Sequence, residues 1–305
     1  MRIAVIIPCH NEEVAIPQVV GGFRAALPGA AIYVFDNNSR DATVAAARAA
    51  GATVRSERLQ GKGHVIRRAF SDIDADIYVL VDGDDTYDAA AAPQMVRLLV
   101  EQRLDMVTGT RITGVAAAFR PGHRFGNRML TGLVQMVFGN RVSDMLSGYR
   151  VFSRRFVKSF PALSAGFETE TEFTVHALEL RMPVDEIAIA YRERPAGSAS
   201  KLHTIRDGLR ILRTIVVLVK EERPMQFFSV CGGLILLSGL LLAVPVLIEF
   251  WETGLVPRLP TAVLSMGLVL LSFLSFSCGL ILDSVARGRK EIKRLAYLAI
   301  APVAG

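Results

Sequence analysis

Short apolar runs alternate with polar clusters over the first hundred residues of the chain. Residues 3–7 form one such run, and Pro8-Cys9-His10-Asn11-Glu12-Glu13 follows it. Residues 32–35 form the next and end in Asp36-Asn37-Asn38-Ser39. Residues 77–81 form another and end abruptly in Asp82-Gly83-Asp84-Asp85. Apolar, β-branched runs of this length predict strands, and unbroken apolar character predicts burial on both faces. Further strands are predicted over 53–56 and 105–109, with helices over 14–27, 41–50, 61–71 and 93–102. Gly51 stops the second of these helices. The alternation predicts an α/β fold, a mostly parallel sheet with helices on both faces.

Ligands of such sheets bind beyond the carboxyl ends of the strands. Polar clusters follow the first, second and fourth predicted strands, so they share one edge of the sheet. Asp82 and Asp84 fall there, with Gly83 letting the backbone turn between them. Two close carboxylates repel each other unless a cation lies between them. Oxygen ligands favour Mg²⁺ or Mn²⁺, and such ions are commonly shared with substrate phosphates. The pattern reads as a metal–diphosphate site; the plainer alternative is an acidic turn capping the next helix. No G-x-G-x-x-G follows the first strand, and Gly61-Lys62-Gly63 lacks the spacing and Ser/Thr of a Walker loop. A nucleotide bound through a metal remains.

The pattern changes after residue 115. Arg120, His123, Arg124 and Arg128 crowd together, an apolar helix-compatible run follows over 129–138, and Arg141, Asp144, Ser147, Gly148 and Arg150 come next. A basic cluster beside an apolar helix suits a lipid phosphate at a membrane surface. A solvated basic face is the bland alternative, and nucleic acid would also suit the charge. Residues 202–220 carry apolar positions at three-to-four spacing, with Arg206, Arg210 and Arg213 between them. This predicts an amphipathic helix lying in the headgroup plane, or else an ordinary packing helix.

Two stretches, 227–248 and 260–282, contain no charged residue. About 20 such residues cross a bilayer core as a helix. Each is read as a transmembrane span, against the alternative of a buried hairpin. These spans explain why 51% of the 305 residues are hydrophobic, and they count against nucleic acid as the partner of the net charge of +6. Lys220, Arg223, Arg287, Arg289, Lys290, Lys293 and Arg294 flank the pair, whereas the connecting loop, 249–259, holds only Arg258. The positive-inside rule places both flanks, and the N-terminal domain with them, in the cytoplasm. Met1 leads straight into a strand, so no signal peptide is expected. Cys9, Cys231 and Cys278 form neither a metal spacing nor a disulfide framework. The expected organisation is a cytoplasmic catalytic domain over 1–200, an interfacial helix over 201–225, a transmembrane hairpin over 226–283 and a cytoplasmic tail over 284–305.

Six short stretches then carry a resemblance. They are Pro8-Cys9-His10-Asn11-Glu12, Asp36-Asn37-Asn38-Ser39-Arg40-Asp41, Gly61-Lys62-Gly63, Asp82-Gly83-Asp84, Asp144-Met145-Leu146-Ser147-Gly148-Tyr149-Arg150 and Gly197-Ser198-Ala199-Ser200-Lys201-Leu202. In this order they resemble the GT-A-fold, family 2 glycosyltransferases that load a sugar onto a polyprenyl phosphate. Dolichyl-phosphate mannose and glucose synthases and bacterial polyprenyl-phosphate glycosyltransferases are members. The two C-terminal spans resemble the membrane anchors of bacterial members.

The resemblance implies roles. Pro8, Glu12, Asp36 and Asn37 would line the nucleobase and ribose pocket, with Lys62 also on the nucleotide-sugar. Asp82 and Asp84 would hold Mg²⁺ or Mn²⁺ and the donor diphosphate. Arg124 and Ser147, with Arg141 beside them, would hold the acceptor phosphate. Arg194 and Lys201 would close over the diphosphate. Asp144 is the candidate for an orienting role. The implied reaction is transfer from a UDP- or GDP-sugar to undecaprenyl or dolichyl phosphate by single displacement with inversion, at the inner face of a plasma membrane, for lipid-linked sugars of a cell envelope. A homo-oligomer is compatible with this. Members often carry Asp-Asp-Gly-Ser where this chain has Asp36-Asn37-Asn38-Ser39, which leaves the nucleotide open. Two rivals remain: a transferase of the same fold with a non-lipid acceptor, and a non-catalytic membrane scaffold with a degenerate transferase domain. The Q-x-x-R-W motif of processive synthases is absent, and the intact Asp82/Asp84 pair counts against a scaffold.

Overall fold

The structure is a computed structural model describing residues 1–112, 123–139, 142–166, 168–195 and 204–303. The chain divides into two compact units, Met1–Ile215 with Lys293–Gly305, and Val216–Ile292.

The first unit begins as the hydrophobic pattern predicts. Strand β1 (Ile3–Cys9), helix α1 (Ile16–Ala26), β2 (Ala31–Asp36), α2 (Thr43–Ala49), β3 (Thr53–Ser56), α3 (Lys62–Asp72), β4 (Ile77–Leu80) and α4 (Ala92–Glu101) alternate. Pro17 sits in the first turn of α1, where its missing N–H costs nothing. Then follow β5 (Met106–Ile112), α5 (His123–Phe138), β6 (Arg150–Ser153), α6 (Arg154–Ser159), α7 (Thr169–Glu179) and β7 (Val184–Ala190). Together the strands make one seven-stranded sheet of order β3-β2-β1-β4-β6-β5-β7. All pairs are parallel except those of β6, which runs antiparallel between β4 and β5. The sequence pattern does not reveal β6, because it is only four residues long and starts on an arginine.

Side chains alternate across this sheet, so each strand feeds two cores. Val5, Ile7, Val79 and Val81 face one side and pack with Val19, Phe23, Met95 and Leu99 of α1 and α4. Ala4, Ile6, Tyr78 and Leu80 face the other and pack with Ile66 and Phe70 of α3, Phe156 of α6 and Phe173 of α7. The rings of Phe152 and Phe173 lie 4.8 Å apart in that second core. Burying a phenylalanine fully contributes about 1.5–3 kcal/mol. A sheet held from both sides makes its strand ends rigid, which is what a site built on those ends requires.

Residues 293–303 return to this unit. Lys293 pairs with Glu179 at 3.0 Å, and the Tyr297 hydroxyl donates to Asp105 at 2.8 Å. Arg155 also pairs with Asp105 and lies 4.7 Å over the Tyr297 ring. Asp105 is fully buried, so its charge is held by these partners rather than by water.

Helix α8 (Thr204–Glu222) buries Ile211 and Ile215 and exposes Leu209. Helices α9 (Pro224–Thr253) and α10 (Leu259–Leu298) contain the two predicted spans and are long and apolar enough to cross a membrane. At 1.5 Å per residue the first is about 45 Å long. Within the second unit they pack along small residues. Gly232 and Gly239 on α9 and Ser265, Ser272 and Gly279 on α10 are each seven apart, the repeat of left-handed helix pairing. The Ser265 hydroxyl donates to the Gly239 carbonyl at 2.8 Å, a contact that a side chain at 239 would obstruct. Gly254 ends α9 with φ of 70°, a left-handed cap suited to glycine. Helix α10 runs past the apolar stretch, to Leu298.

Candidate active site

The carboxyl end of β4 carries the site. After Leu80 the chain enters Val81-Asp82-Gly83-Asp84-Asp85 and turns, with Asp85 at φ 57°. Left-handed backbone is uncommon outside glycine, and functional sites collect such residues. Gly83 is obligatory here, because a Cβ would lie 2.6 Å from the Cys9 sulfur. Gly148, from the loop before β6, leaves room for the Asp82 carboxylate: a Cβ there would force that carboxylate to move.

Each aspartate has a cationic neighbour. Asp82 accepts a hydrogen bond from the Lys62 ammonium at 2.5 Å. Lys62 also donates to Glu170, in the first turn of α7. Asp84 pairs with Arg194 at 2.6 Å and accepts from the Thr86 hydroxyl at 2.6 Å. Burial, and then the charge of Asp82, push the Asp84 carboxyl above its ordinary value, against the pull of Arg194 and Thr86. Burial opposes a charge on Lys62, yet Asp82 and Glu170 outweigh it and hold its pKa above the ordinary lysine value. Burial also raises Glu170, and Lys62 opposes that rise.

Asp82 and Asp84 suit an oxygen-preferring divalent ion. Both are hard carboxylates that repel each other, and an ion between them would relieve the repulsion that raises Asp84. Among the described residues no cluster of three or more His, Cys, Asp or Glu could hold a metal. The remaining ligands would therefore be water or phosphate oxygens, the usual company of Mg²⁺ and Mn²⁺.

The ends of β1 and β2 supply the adjoining wall. Asp36 is buried and accepts from the Ser39 amide at 3.3 Å. Glu12 is buried, and its backbone amide donates to the Thr43 hydroxyl at 2.7 Å. Pro8 pairs in register with Phe35. The Asn37 side chain holds the backbone of the neighbouring loop. Its amide nitrogen donates to the carbonyls of Glu57 and Leu59 at 2.9 and 2.8 Å, and its oxygen accepts from the Gly61 amide at 2.7 Å. All of this side chain's donors go to the backbone just before Lys62, so none is left for a base or ribose.

Asp144, in the loop before β6, has both oxygens on Arg111 near the end of β5, at 2.7 and 2.8 Å. Arg111 in turn lies 5.6 Å from the Tyr191 ring. Ser147 is fully buried and donates to the Gly109 carbonyl at 2.5 Å. Its hydroxyl braces the loop and has no surface to offer an acceptor phosphate. Arg124 falls in the first turn of α5, and its side chain lies outside the described residues, as do Arg141 and Lys201. Asp82, Asp84, Lys62 and Arg194 are thus brought together, while Asp144 and Ser147 are tied to other groups.

Sequence reasoning missed Glu170, Thr86 and Arg111. Every residue of Glu168-Thr169-Glu170-Thr171-Glu172 is buried despite its polarity.

The sequence profile described as glycosyl transferase family 2 matches residues 4–160, half of the chain. The chain belongs to glycosyl transferase family 2. Two relatives from Haloferax volcanii extend the likeness. Glycosyltransferase AglJ is 32% identical over 303 residues, covering 97% of this chain and 98% of its own. A dolichyl-phosphate hexose transferase is 30% identical over 221 residues, covering 72% of this chain and 95% of its own. A crystal structure of glucosyl-3-phosphoglycerate synthase from M. tuberculosis superposes with a TM-score of 0.58 at 21% identity, over 72% of this chain and 80% of that one. That likeness is one of fold, and the fold it gives the family 2 domain is the GT-A one.

Proposed function

We propose that this family 2 glycosyltransferase moves a sugar from a UDP- or GDP-sugar to a polyprenyl phosphate at the cytoplasmic face of a membrane. The observation that carries the reading is the acidic end of β4, where Asp82 and Asp84 meet Lys62 and Arg194. Carboxylates for a divalent ion and cations for a diphosphate converge there. The two long apolar helices and the dolichyl-phosphate relative support a lipid acceptor.

The donor's diphosphate would lie over Asp82 and Asp84, with Lys62 and Arg194 against its oxygens and Lys201 closing above. Pro8, Glu12 and Asp36 would face the nucleoside, and Asn37 would act through the 57–61 loop. Arg124 and Arg141 would meet the acceptor phosphate. Mg²⁺ or Mn²⁺ on Asp82 and Asp84, when bound, supplies Lewis-acid stabilisation of charge on the leaving diphosphate. An acceptor phosphate oxygen attacks the anomeric carbon and forms the new C–O bond. The old bond to the diphosphate breaks, and its electron pair leaves on the nucleoside diphosphate. A phosphate monoester is already ionised at neutral pH (second pKa about 6), so no base has to take a proton. Asp144, committed to Arg111, fits an orienting role. Single displacement inverts the anomeric centre.

The domain assignment follows: a catalytic domain over 1–200, an interfacial helix over 201–225, a membrane hairpin over 226–283 and a cytoplasmic end over 284–305. Arg258, the one cation of the loop between the spans, is paired with Glu249 at 2.8 Å, which sharpens the charge asymmetry behind the orientation. Lipid extracts of cells expressing the wild type should contain a sugar-phosphate polyprenol, seen by mass spectrometry, that cells expressing Asp82→Asn lack. Equal amounts in both would refute the proposal.

A further inference from the structure

The Lys62 ammonium sits between two carboxylates, Asp82 at 2.5 Å and Glu170, with only 7% of its side chain exposed. Its backbone is fixed. Gly61 is held by Asn37, the Gly63 amide donates to the Ala165 carbonyl at 3.0 Å, and a Cβ on Gly63 would collide with the Ser164 carbonyl. Any movement of the ammonium has to come from its four-carbon stem. Glu170 is 5% exposed, and its second oxygen is buried without a hydrogen-bond partner. Lys62 is the cation in contact with it, and the charge of the buried Arg150 reaches it from further away. Arg194 covers Asp84 in the same way.

Formal charge shows what this arrangement does. Among the side chains in direct contact, Asp82, Asp84 and Glu170 face Lys62 and Arg194, a balance of one negative charge. A divalent ion on the aspartates turns the balance to one positive charge and repels the ammonium already touching Asp82. The direction that relieves the repulsion is towards an anionic diphosphate.

Resting on the transferase reading above, we infer that Lys62 is a tethered counter-ion: it competes with the divalent ion for Asp82, and Glu170 keeps it within reach of the diphosphate once displaced. Glu170 is then a positioning residue, acting on the donor only through Lys62. Site charge becomes favourable to the diphosphate only after the ion binds, so ion and nucleotide bind cooperatively.

The test is Mn²⁺ binding to the full chain in detergent, followed by electron paramagnetic resonance without any sugar donor. The double variant Lys62→Met/Glu170→Gln removes one charge of each sign, so the net charge of the site is unchanged. Freed of its competitor, Asp82 should bind Mn²⁺ about ten-fold tighter, the equivalent of one charge-assisted contact. The same variant should bind UDP and GDP more weakly in the presence of Mn²⁺. Unchanged or weaker Mn²⁺ binding at unchanged Tm overturns the inference. Glu170→Gln alone, the milder change, leaves Lys62 to Asp82 and should weaken Mn²⁺ binding several-fold while sparing Tm; no weakening also overturns it. A wild type that binds no Mn²⁺ removes the inference together with the metal site. Normal Mn²⁺ behaviour without transfer to polyprenyl phosphate removes the acceptor reading and leaves this inference standing.

Discussion

Asn37→Asp changes one atom's identity and almost nothing of side-chain size, yet it should be a damaging substitution. Asn37 is 4% exposed and donates from its amide nitrogen to the carbonyls of Glu57 and Leu59. A carboxylate there turns both donors into acceptors facing acceptors. A buried polar group left unsatisfied costs about 1–3 kcal/mol, so two cost about 2–6 kcal/mol before the charge itself is counted. The accepted bond from the Gly61 amide is common to both side chains and adds nothing to the difference. In a domain of this size each kcal/mol moves Tm by about 2–4 °C, so a loss of about 5 °C or more is expected. The loss should shrink on acidification. The introduced carboxyl has a raised folded pKa, so its deficit grows as pH rises above the unfolded value of about 3.9; below it the protonated carboxyl has one donor for the two carbonyls, and the cost of one unsatisfied group remains. Thermal unfolding across pH, with donor KM measured in parallel, is the assay. Donor KM should rise as well, because the 57–61 loop carries Lys62. An unchanged Tm with a raised donor KM would refute this reasoning and make Asn37 a direct nucleotide ligand.

Arg124→Ala should raise KM for polyprenyl phosphate about ten-fold or more, since a charge-assisted contact is worth about 1.5–3 kcal/mol, and leave donor KM unchanged; parallel movement of both, with a fall in Tm, would make Arg124 a brace instead. A cysteine at Val256→Cys, in a background without Cys9, Cys231 and Cys278, should react with an impermeant thiol reagent in intact cells; labelling only after lysis reverses the orientation. His176 is pushed down to about 3 by burial and then by the charge of Lys293. Between the ordinary value of 6.5 and about 3 the unfolded chain therefore binds a proton that the folded one refuses. Stability falls as pH drops through that window, by up to about 1.4 kcal/mol per pH unit. Tm of His176→Gln should fall less than wild type between pH 7 and pH 5, and equal slopes would contradict this.

What could be read from sequence follows from where each signal lives. The edge at Asp82 and Asp84 is legible because one short segment contains the whole message: a β-branched run, a glycine and the acids. The two apolar helices are legible because lipid-compatible surface needs an unbroken run. Glu170 is illegible, since an alternation of Glu and Thr looks solvated until α6, α7 and α3 close around it. The bracing contacts of Asn37 are illegible for a related reason. Its partners lie 20 to 24 residues away, and only the fold brings that backbone to its amide. The hydroxyl of Ser147 looks available in the string and is fully buried in the structure. Tyr297 and Asp105 meet across 192 residues, which no local pattern encodes.

The central claim is that the acceptor is a lipid phosphate. Purified full-chain protein in nanodiscs, given Mn²⁺ and radiolabelled UDP- and GDP-sugars, should be offered polyprenyl phosphate, the corresponding polyprenol, or neither. The account predicts organic-soluble label from one of the nucleotide sugars with polyprenyl phosphate alone, and its loss in Asp82→Asn. Equal labelling of the polyprenol, or label passing only to a water-soluble acceptor, would contradict it.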